Sequence, residues 1–205
     1  MTDLSSREKI IEAAVKEFSA GGFPGSRVEN IAKAASVNKA MIFYYFGSKE
    51  GLYKVVIKNI VGQLMNIIKK TGGIDTPIDP EKFIESFPEN YVRFFSGNRD
   101  FLRIIGVDLI LSPSNLKEAL SEFFNSEILL VPQNLRKVIP EWYKQGLITE
   151  SNPVHLFLNV ISLCIFPLIV RVFPEIIFNI DLDNDKFIED RIKSIKNLLK
   201  RGLLK

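Results

Sequence analysis

The segment from Ser26 to Lys49 holds the residues whose types and spacing could do chemistry. Within it, Asn38 is the predicted N-cap of a short helix. Five residues lie on or near the outward side of that helix: Lys39, Ala40, Met41, Phe43 and Tyr44. The major groove of DNA admits an α-helix and displays distinguishable base edges, so this side could contact a duplex. Near Arg27 and near Ser48 to Lys49, two further helix starts could hold phosphates with unpaired backbone N–H groups and a cation.

Short helices of this size need support from their neighbours. The sequence Ser26-x-x-Glu29 fits a capping box that would open the preceding helix, and Ser5-x-x-Glu8 fits a box that would open the first helix of the chain. Gly21 and Gly22 are predicted to end the first helix. Two short helices alone cannot bury much area, so the first helix and a long fourth helix, capped by Ser48, must hold them. The pattern predicts a helix-turn-helix, with Ile42, Tyr45 and Phe46 packed inward.

Helix signals continue to the end of the chain, and no stretch shows the sustained alternation that strands need. Asp79 and Pro80 are predicted to open a helix after a loop, and Asn98 to Leu111 forms another. A segment from Ser114 to Gln145 is interrupted by two prolines. An apolar helix follows Asn152, and the last helix covers about Asp183 to Arg201. We therefore expect an all-α chain of about nine helices.

Composition excludes several classes of protein. With 46% hydrophobic and 25% charged residues, the chain can bury a sizeable core. A single cysteine, Cys164, cannot form an internal disulfide, and a single histidine leaves a metal site short of ligands. No Gly-rich phosphate loop or H-E-x-x-H motif is present, so we expect no enzyme and no cofactor. Residues Met1 to Lys9 lack the apolar core of a secretory signal, which favours the cytoplasm.

Several coupled positions at fixed spacing resemble the DNA-binding domain of the tetracycline-repressor (TetR) family. They include Arg7-Glu8-Lys9-Ile10-Ile11-Glu12-Ala13-Ala14, Val28-Glu29-Asn30-Ile31-Ala32 and Phe43-Tyr44-Tyr45-Phe46-Gly47-Ser48-Lys49-Glu50-Gly51-Leu52. The resemblance spans about fifty residues. It implies a repressor that binds a near-palindromic operator as a two-fold homodimer and is released by a small molecule held in the C-terminal domain. It also implies a DNA-binding domain over residues 1–47 and a ligand-binding and dimerisation domain over residues 48–205.

The positions that contact DNA in that family fall on nine residues of this chain: Arg27, Val28, Asn38, Lys39, Ala40, Met41, Phe43, Tyr44 and Lys49. Three residues depart from the family pattern. Ser36 stands in the turn where glycine is frequent, so either a left-handed backbone there would be strained or the turn would differ slightly. Ala40 also replaces a common glycine, and Phe43 replaces a frequent tyrosine and so lacks a hydroxyl that would reach phosphate.

Val154 to Val170 contains no Asp, Glu, Lys or Arg, so a helix there must be covered on nearly every side. A membrane span usually needs about 18 to 20 apolar residues, and this stretch is shorter and is followed by Arg171. We therefore favour a homodimer interface formed with the last helix, and no membrane partner.

Aromatic residues crowd the C-terminal region, and together they could line a cavity for a small hydrophobic or aromatic effector. The candidate ligand contacts are Tyr91, Phe94, Arg103, Asp108, Trp142, Asn159 and Phe166. The alternative function is a hydrophobic small-molecule carrier or enzyme that uses this cavity alone. A thiol inside an apolar helix, as predicted for Cys164, is usually inert and gives no support to catalysis.

Overall fold

The computed structural model describes residues 5–70, 79–126 and 130–205, without the side chains of residues 68–70, 123–126 and 130–135. The described chain is all-α, as predicted. Its eleven helices are α1 (Ser6–Gly25), α2 (Val28–Ala34), α3 (Lys39–Phe46), α4 (Lys49–Lys70), α5 (Pro80–Gly97), α6 (Arg99–Leu111), α7 (Pro113–Ser126), α8 (Leu130–Lys144), α9 (Pro153–Ile169), α10 (Val172–Phe178) and α11 (Asp185–Leu203).

The helix count exceeds the expected nine. The segment from Ser114 to Gln145 forms two helices, α7 and α8, and Pro140 lies within α8 without ending it. The chain also turns into the short helix α10 directly after α9. Most of the loop predicted before Asp79 lies outside the described residues.

Two compact units divide the chain. The first comprises residues 1–63 and 98–127 and therefore contains α1 to α3, most of α4, α6 and α7. The second comprises residues 64–97 and 128–205 and contains α5 and α8 to α11. The boundary predicted between residues 47 and 48 concerns functional domains and stays a prediction.

Local capping explains where most helices begin. The Ser5 side chain accepts from the Glu8 backbone N–H and the Glu8 carboxylate accepts from Ser5, which confirms the first capping box. Asn38 and Asn152 cap α3 and α9 through their side-chain oxygens, as expected. In the first unit, α1 buries Ile10, Ala14 and Phe18 completely. The Phe18 ring packs edge-on against the ring of Tyr53 in α4.

The second predicted capping box is wrong. α2 begins at Val28 with Arg27 at its N-cap, and no side chain caps it. The Ser26 hydroxyl instead donates to the Phe23 carbonyl, and the Glu29 carboxylate binds Lys39. Both side chains that could have formed the box therefore have other partners.

In the second unit, α5 packs against α9 and α11, and it carries a row of buried aromatic side chains. Phe87 and Tyr91 stack with ring centroids 4.3 Å apart, and Trp142 of α8 lies 6.0 Å from Phe83. At the surface, Lys196 of α11 binds the α5 carboxylates Glu85 and Glu89. These contacts hold the last helix along α5 with both apolar and ionic partners.

The apolar helix α9 was the candidate for a membrane span. Among the described residues, no single helix has both the length and the hydropathy for a crossing; α9 and α10 pass that test only as a pair bent by 70°.

Candidate nucleic-acid interface

The second helix of the helix-turn-helix, α3, buries one side and exposes the other. Ile42 is wholly buried and Phe46 nearly so, and these residues anchor the helix. Tyr44 is 83% exposed and Phe43 is 42% exposed, while Lys39 and Ala40 are exposed and Met41 is partly so. The outward side predicted from the sequence is therefore available at the surface of the first unit.

Two residues of the predicted pattern behave differently. Tyr45, expected in the core, is 39% exposed, and its ring lies edge-on to that of Tyr44, 5.2 Å away. The expectation of a packed Tyr45 was wrong because Ile42 and Phe46 already fill the inward side of this eight-residue helix. Val28, a predicted DNA contact, is only 8% exposed and belongs to the core of α2.

A strained turn places α3. Ser36 has φ 56°, so of the two possibilities for this turn the structure has the left-handed backbone. Around it, the Val37 N–H donates to the Ala32 carbonyl and the Ser36 N–H donates to the Lys33 carbonyl, which closes the end of α2. Asn38 then caps α3 by accepting from the Ala40 backbone N–H at 2.9 Å. Gly47, with φ 74°, ends the helix.

Lys39 is the principal cation on the exposed side of α3. Its ammonium binds the Glu29 carboxylate of α2 and lies 5.6 Å from the centroid of the Phe43 ring. The hydrogen bond from Lys39 lowers the pKa of Glu29. This pair keeps the lysine side chain on the surface in the absence of DNA, and a phosphate or a guanine edge would compete with Glu29 for it.

The flanking helix starts are fixed from within the unit. Lys49 donates to the Ser26 carbonyl at 2.7 Å and lies 4.6 Å from the centroid of the Phe23 ring, and burial lowers the pKa of its ammonium. The Arg27 backbone N–H donates to the Glu17 carboxylate, whereas the Arg27 side chain is exposed. In this arrangement Lys49 joins α4 to the turn before α2, and the Arg27 side chain lies at the surface.

Asp108 of α6 has a structural role that the sequence did not reveal. Predicted as a ligand contact, it is wholly buried inside the first unit. One carboxyl oxygen accepts from the Phe23 N–H at 2.8 Å, and the other accepts from the Tyr53 hydroxyl at 2.7 Å. Gly22 makes room for it, since an added Cβ would lie 2.7 Å from Asp108 Oδ1. Asp108 thus joins α6 to α1 and α4 beneath the helix-turn-helix.

The remaining ligand candidates fall in different places. Tyr91, Phe94 and Trp142 are buried in the aromatic row of the second unit, and burial raises the pKa of Tyr91. Asn159 and Phe166 line an open groove between α9 and α11 in the same unit. Arg103 belongs to the first unit and is exposed. In the described part of the chain, no group of three or more His, Cys, Asp or Glu side chains could hold a metal ion.

Comparison with known proteins agrees with this geometry. Residues 10–56 match the family described as "Bacterial regulatory proteins, tetR family". The HTH-type transcriptional repressor NicS of Pseudomonas putida is 28% identical over 203 residues, which cover 97% of this chain and 92% of that protein.

Solved structures share the fold along nearly the whole chain. The TetR family transcriptional regulator PfmR from Thermus thermophilus aligns with a TM-score of 0.69 at 23% identity, covering 99% of this chain and all of that one. The fatty acid degradation regulator FadR from Bacillus halodurans aligns with a TM-score of 0.70 at 17% identity, covering 97% and 96%. The exposed outer side of α3 on a buried support, the family match over residues 10–56 and relatives of this kind all support a TetR family transcriptional regulator.

Proposed function

We propose that this protein is a ligand-responsive repressor that binds a palindromic operator as a homodimer and is released by a small hydrophobic effector. The observation that carries the proposal is α3. Lys39 and Tyr44 project from a short helix whose opposite side is locked by Ile42 and Phe46. Since the support is buried, the outward side chains can enter a major groove without unfolding the domain.

The dimer is supported by the exposed apolar side of α9. Phe166 is 60% exposed, and Val154, Leu158 and Ile169 are each about half exposed. Contiguous apolar surface of this kind marks an interaction site more often than a free surface. A two-fold pair of recognition helices would then meet half-sites about one helical turn apart, roughly 34 Å.

The hydrophobic effector is supported by the aromatic row of α5 and α8. Phe83, Phe87, Tyr91 and Trp142 form continuous apolar surface inside the second unit. A ligand that prefers the arrangement unable to bind DNA would shift the population away from the operator. Coupling of this kind is typically about 1–3 kcal/mol.

Selection of bound sequences from random DNA tests the operator. We expect an inverted repeat whose half-sites are spaced by about 10 base pairs, or a multiple, with apparent affinity that falls steeply as salt rises. Bound sequences without any two-fold repeat would contradict the dimeric geometry. Binding that does not depend on salt would contradict phosphate contact altogether.

Three variants test the assignment of α3. Lys39→Ala should weaken specific binding by about 10- to 100-fold, since a good base contact is worth about 1–3 kcal/mol. Glu29→Gln should strengthen binding severalfold, because it releases Lys39 and removes a negative charge from the interface. Lys82→Ala removes an equal charge from the exposed surface of α5 and is the matched control. If Lys39→Ala behaves like Lys82→Ala, α3 is not the reading element.

A further inference from the structure

A groove of about 650 Å³ runs between α9 and α11 in the second unit. Its walls are mainly apolar and include Leu156, Leu163, Phe166 and Leu198. Two ionisable side chains also line it, Arg191 and Glu150. Their charges are opposite, and a hydrogen bond to the backbone of the chain positions each side chain.

Arg191 binds a backbone carbonyl of α9 that has no N–H partner within the helix. Pro167 lacks an N–H, so the Leu163 carbonyl, four residues earlier, loses its normal partner within the helix. Arg191 Nη2 donates to that carbonyl at 2.7 Å. Its Nε atom is buried and has no hydrogen-bond partner in the described chain. Burial also lowers the pKa of the guanidinium, which indicates that the charge is poorly solvated.

Glu150 stands beyond the other end of α9. Its carboxylate accepts from the Asn152 N–H at 2.7 Å, and Asn152 is the N-cap of α9. The neighbouring Thr149 N–H donates to the Leu203 carbonyl near the end of α11. From Asn152 to Leu163 the helix rises about 16 Å at 1.5 Å per residue. Within the described chain, neither Glu150 nor Arg191 has an ion-pair partner, so the groove is positive towards one end and negative towards the other.

We propose that a second copy of this chain covers the groove, related by a two-fold axis perpendicular to it, so that Arg191 of each subunit binds Glu150 of the partner subunit. This inference rests on the homodimer of the proposed function and specifies its register. In a two-fold interface, if residue i of one subunit contacts residue j, then j also contacts i. Reversing the groove end for end places its basic end over the acidic end of the other copy, and both pairs form at once.

Charge favours this register over its alternatives. A parallel arrangement would bring Arg191 against Arg191 and Glu150 against Glu150, and like charges in a desolvated interface cost several kcal/mol. The antiparallel arrangement also gives the partly buried guanidinium a carboxylate. Apolar side chains beside the groove, including Phe166 at 60% and Leu198 at 56% exposed, would be covered by the same contact.

Complementary charge reversals test the pairing between subunits. One chain carries Glu150→Arg and the other carries Arg191→Glu. Each homodimer then contains two like-charge pairs, whereas the mixed dimer contains two opposite pairs. By sedimentation equilibrium we expect each variant alone to dimerise at least about 30-fold more weakly than the natural chain, and an equimolar mixture to recover to within about threefold. Glu141→Arg, on the exposed surface of α8, makes the same charge change and should have no effect.

The outcomes separate this inference from the proposed function. If the natural chain is monomeric at micromolar concentration, both the dimer and the pairing are wrong. If it is dimeric but the mixture does not recover, the register is wrong and the dimer stands. Recovery in one chain carrying both changes, without recovery in the mixture, would assign the pair to a single subunit and overturn the inference.

Folding of Arg191→Glu must be checked, since the variant also removes the donor to Leu163. Far-UV circular dichroism and the thermal transition serve that purpose. If it does not fold, Arg191→Met replaces it in a double-mutant cycle with Glu150→Met. We then expect the double variant to dimerise no more weakly than either single variant, whereas additive losses would overturn the pairing.

Discussion

The hydrogen bond between Tyr53 and Asp108 offers a sharp test of how α6 is joined to the DNA-binding helices. Tyr53→Phe removes the hydroxyl and keeps the ring, which packs edge-on to Phe18 and Phe23 at centroid distances of 5.2 and 5.1 Å. The Asp108 carboxyl is wholly buried, so water cannot replace the lost donor. A buried hydrogen bond to a carboxylate is worth about 1.5–3 kcal/mol. We therefore expect the free energy of unfolding to fall by about 2 kcal/mol.

Thermal and urea unfolding measure this change. For a chain of this size, about 2 kcal/mol corresponds to a decrease of about 4–8 °C in Tm. Tyr143→Phe, at a tyrosine that is 44% exposed, is the matched control and should change stability by less than about 0.5 kcal/mol. In a double-mutant cycle with Asp108→Asn, the two losses should be non-additive by at least about 1 kcal/mol. A Tyr53→Phe variant as stable as the Tyr143→Phe control would refute the reasoning.

Three further substitutions follow from the same structure. Gly22→Ala should lower the free energy of unfolding by at least about 2 kcal/mol, since φ is 63° and the new Cβ would clash with Asp108. The control Gly62→Ala, in open space on α4, should raise it by about 0.5–1 kcal/mol. Equal effects of the two substitutions in urea unfolding would contradict this. Ser36→Gly should raise Tm, because the residue has φ 56° and the strain is worth about 1 kcal/mol. Arg191→Ala should lower the free energy of unfolding by about 1–2 kcal/mol in the natural chain. The loss should be smaller in a Pro167→Ala background, where the restored N–H binds the Leu163 carbonyl. Equal losses in urea unfolding would show that Arg191 does not compensate for the missing N–H of Pro167.

Features that depend on a few neighbouring residues were predictable. Asn38 and Asn152 cap their helices with side-chain oxygens two residues from the N–H groups they bind. The left-handed backbone at Ser36 was one of two possibilities for that turn, because the resemblance places Ser36 where glycine is frequent. In each case the relevant atoms are close along the chain, so residue type and spacing suffice.

Features that depend on packing could not be predicted from the sequence. The Ser26 and Glu29 pattern predicted a capping box, yet both side chains bind other groups once α2 and α3 are folded against α1. Tyr45 occupies a position that helical periodicity favours as inward, but eight residues against a small support leave room for only two buried side chains. Periodicity identifies the inward side of a helix and does not determine how much of that side its neighbours can cover.

By itself, the sequence determined the all-α class, the helix-turn-helix and the exposed side of α3. Only the tertiary structure decided the role of Asp108, which binds Tyr53 and Phe23 from 55 and 85 residues away. It also decided that Lys49 donates to the Ser26 carbonyl and that Arg191 donates to the Leu163 carbonyl, which Pro167 leaves without an N–H partner. The physical reason is that a cap is satisfied within one helical turn, whereas a buried polar group takes whichever partner the packed chain brings within about 3 Å.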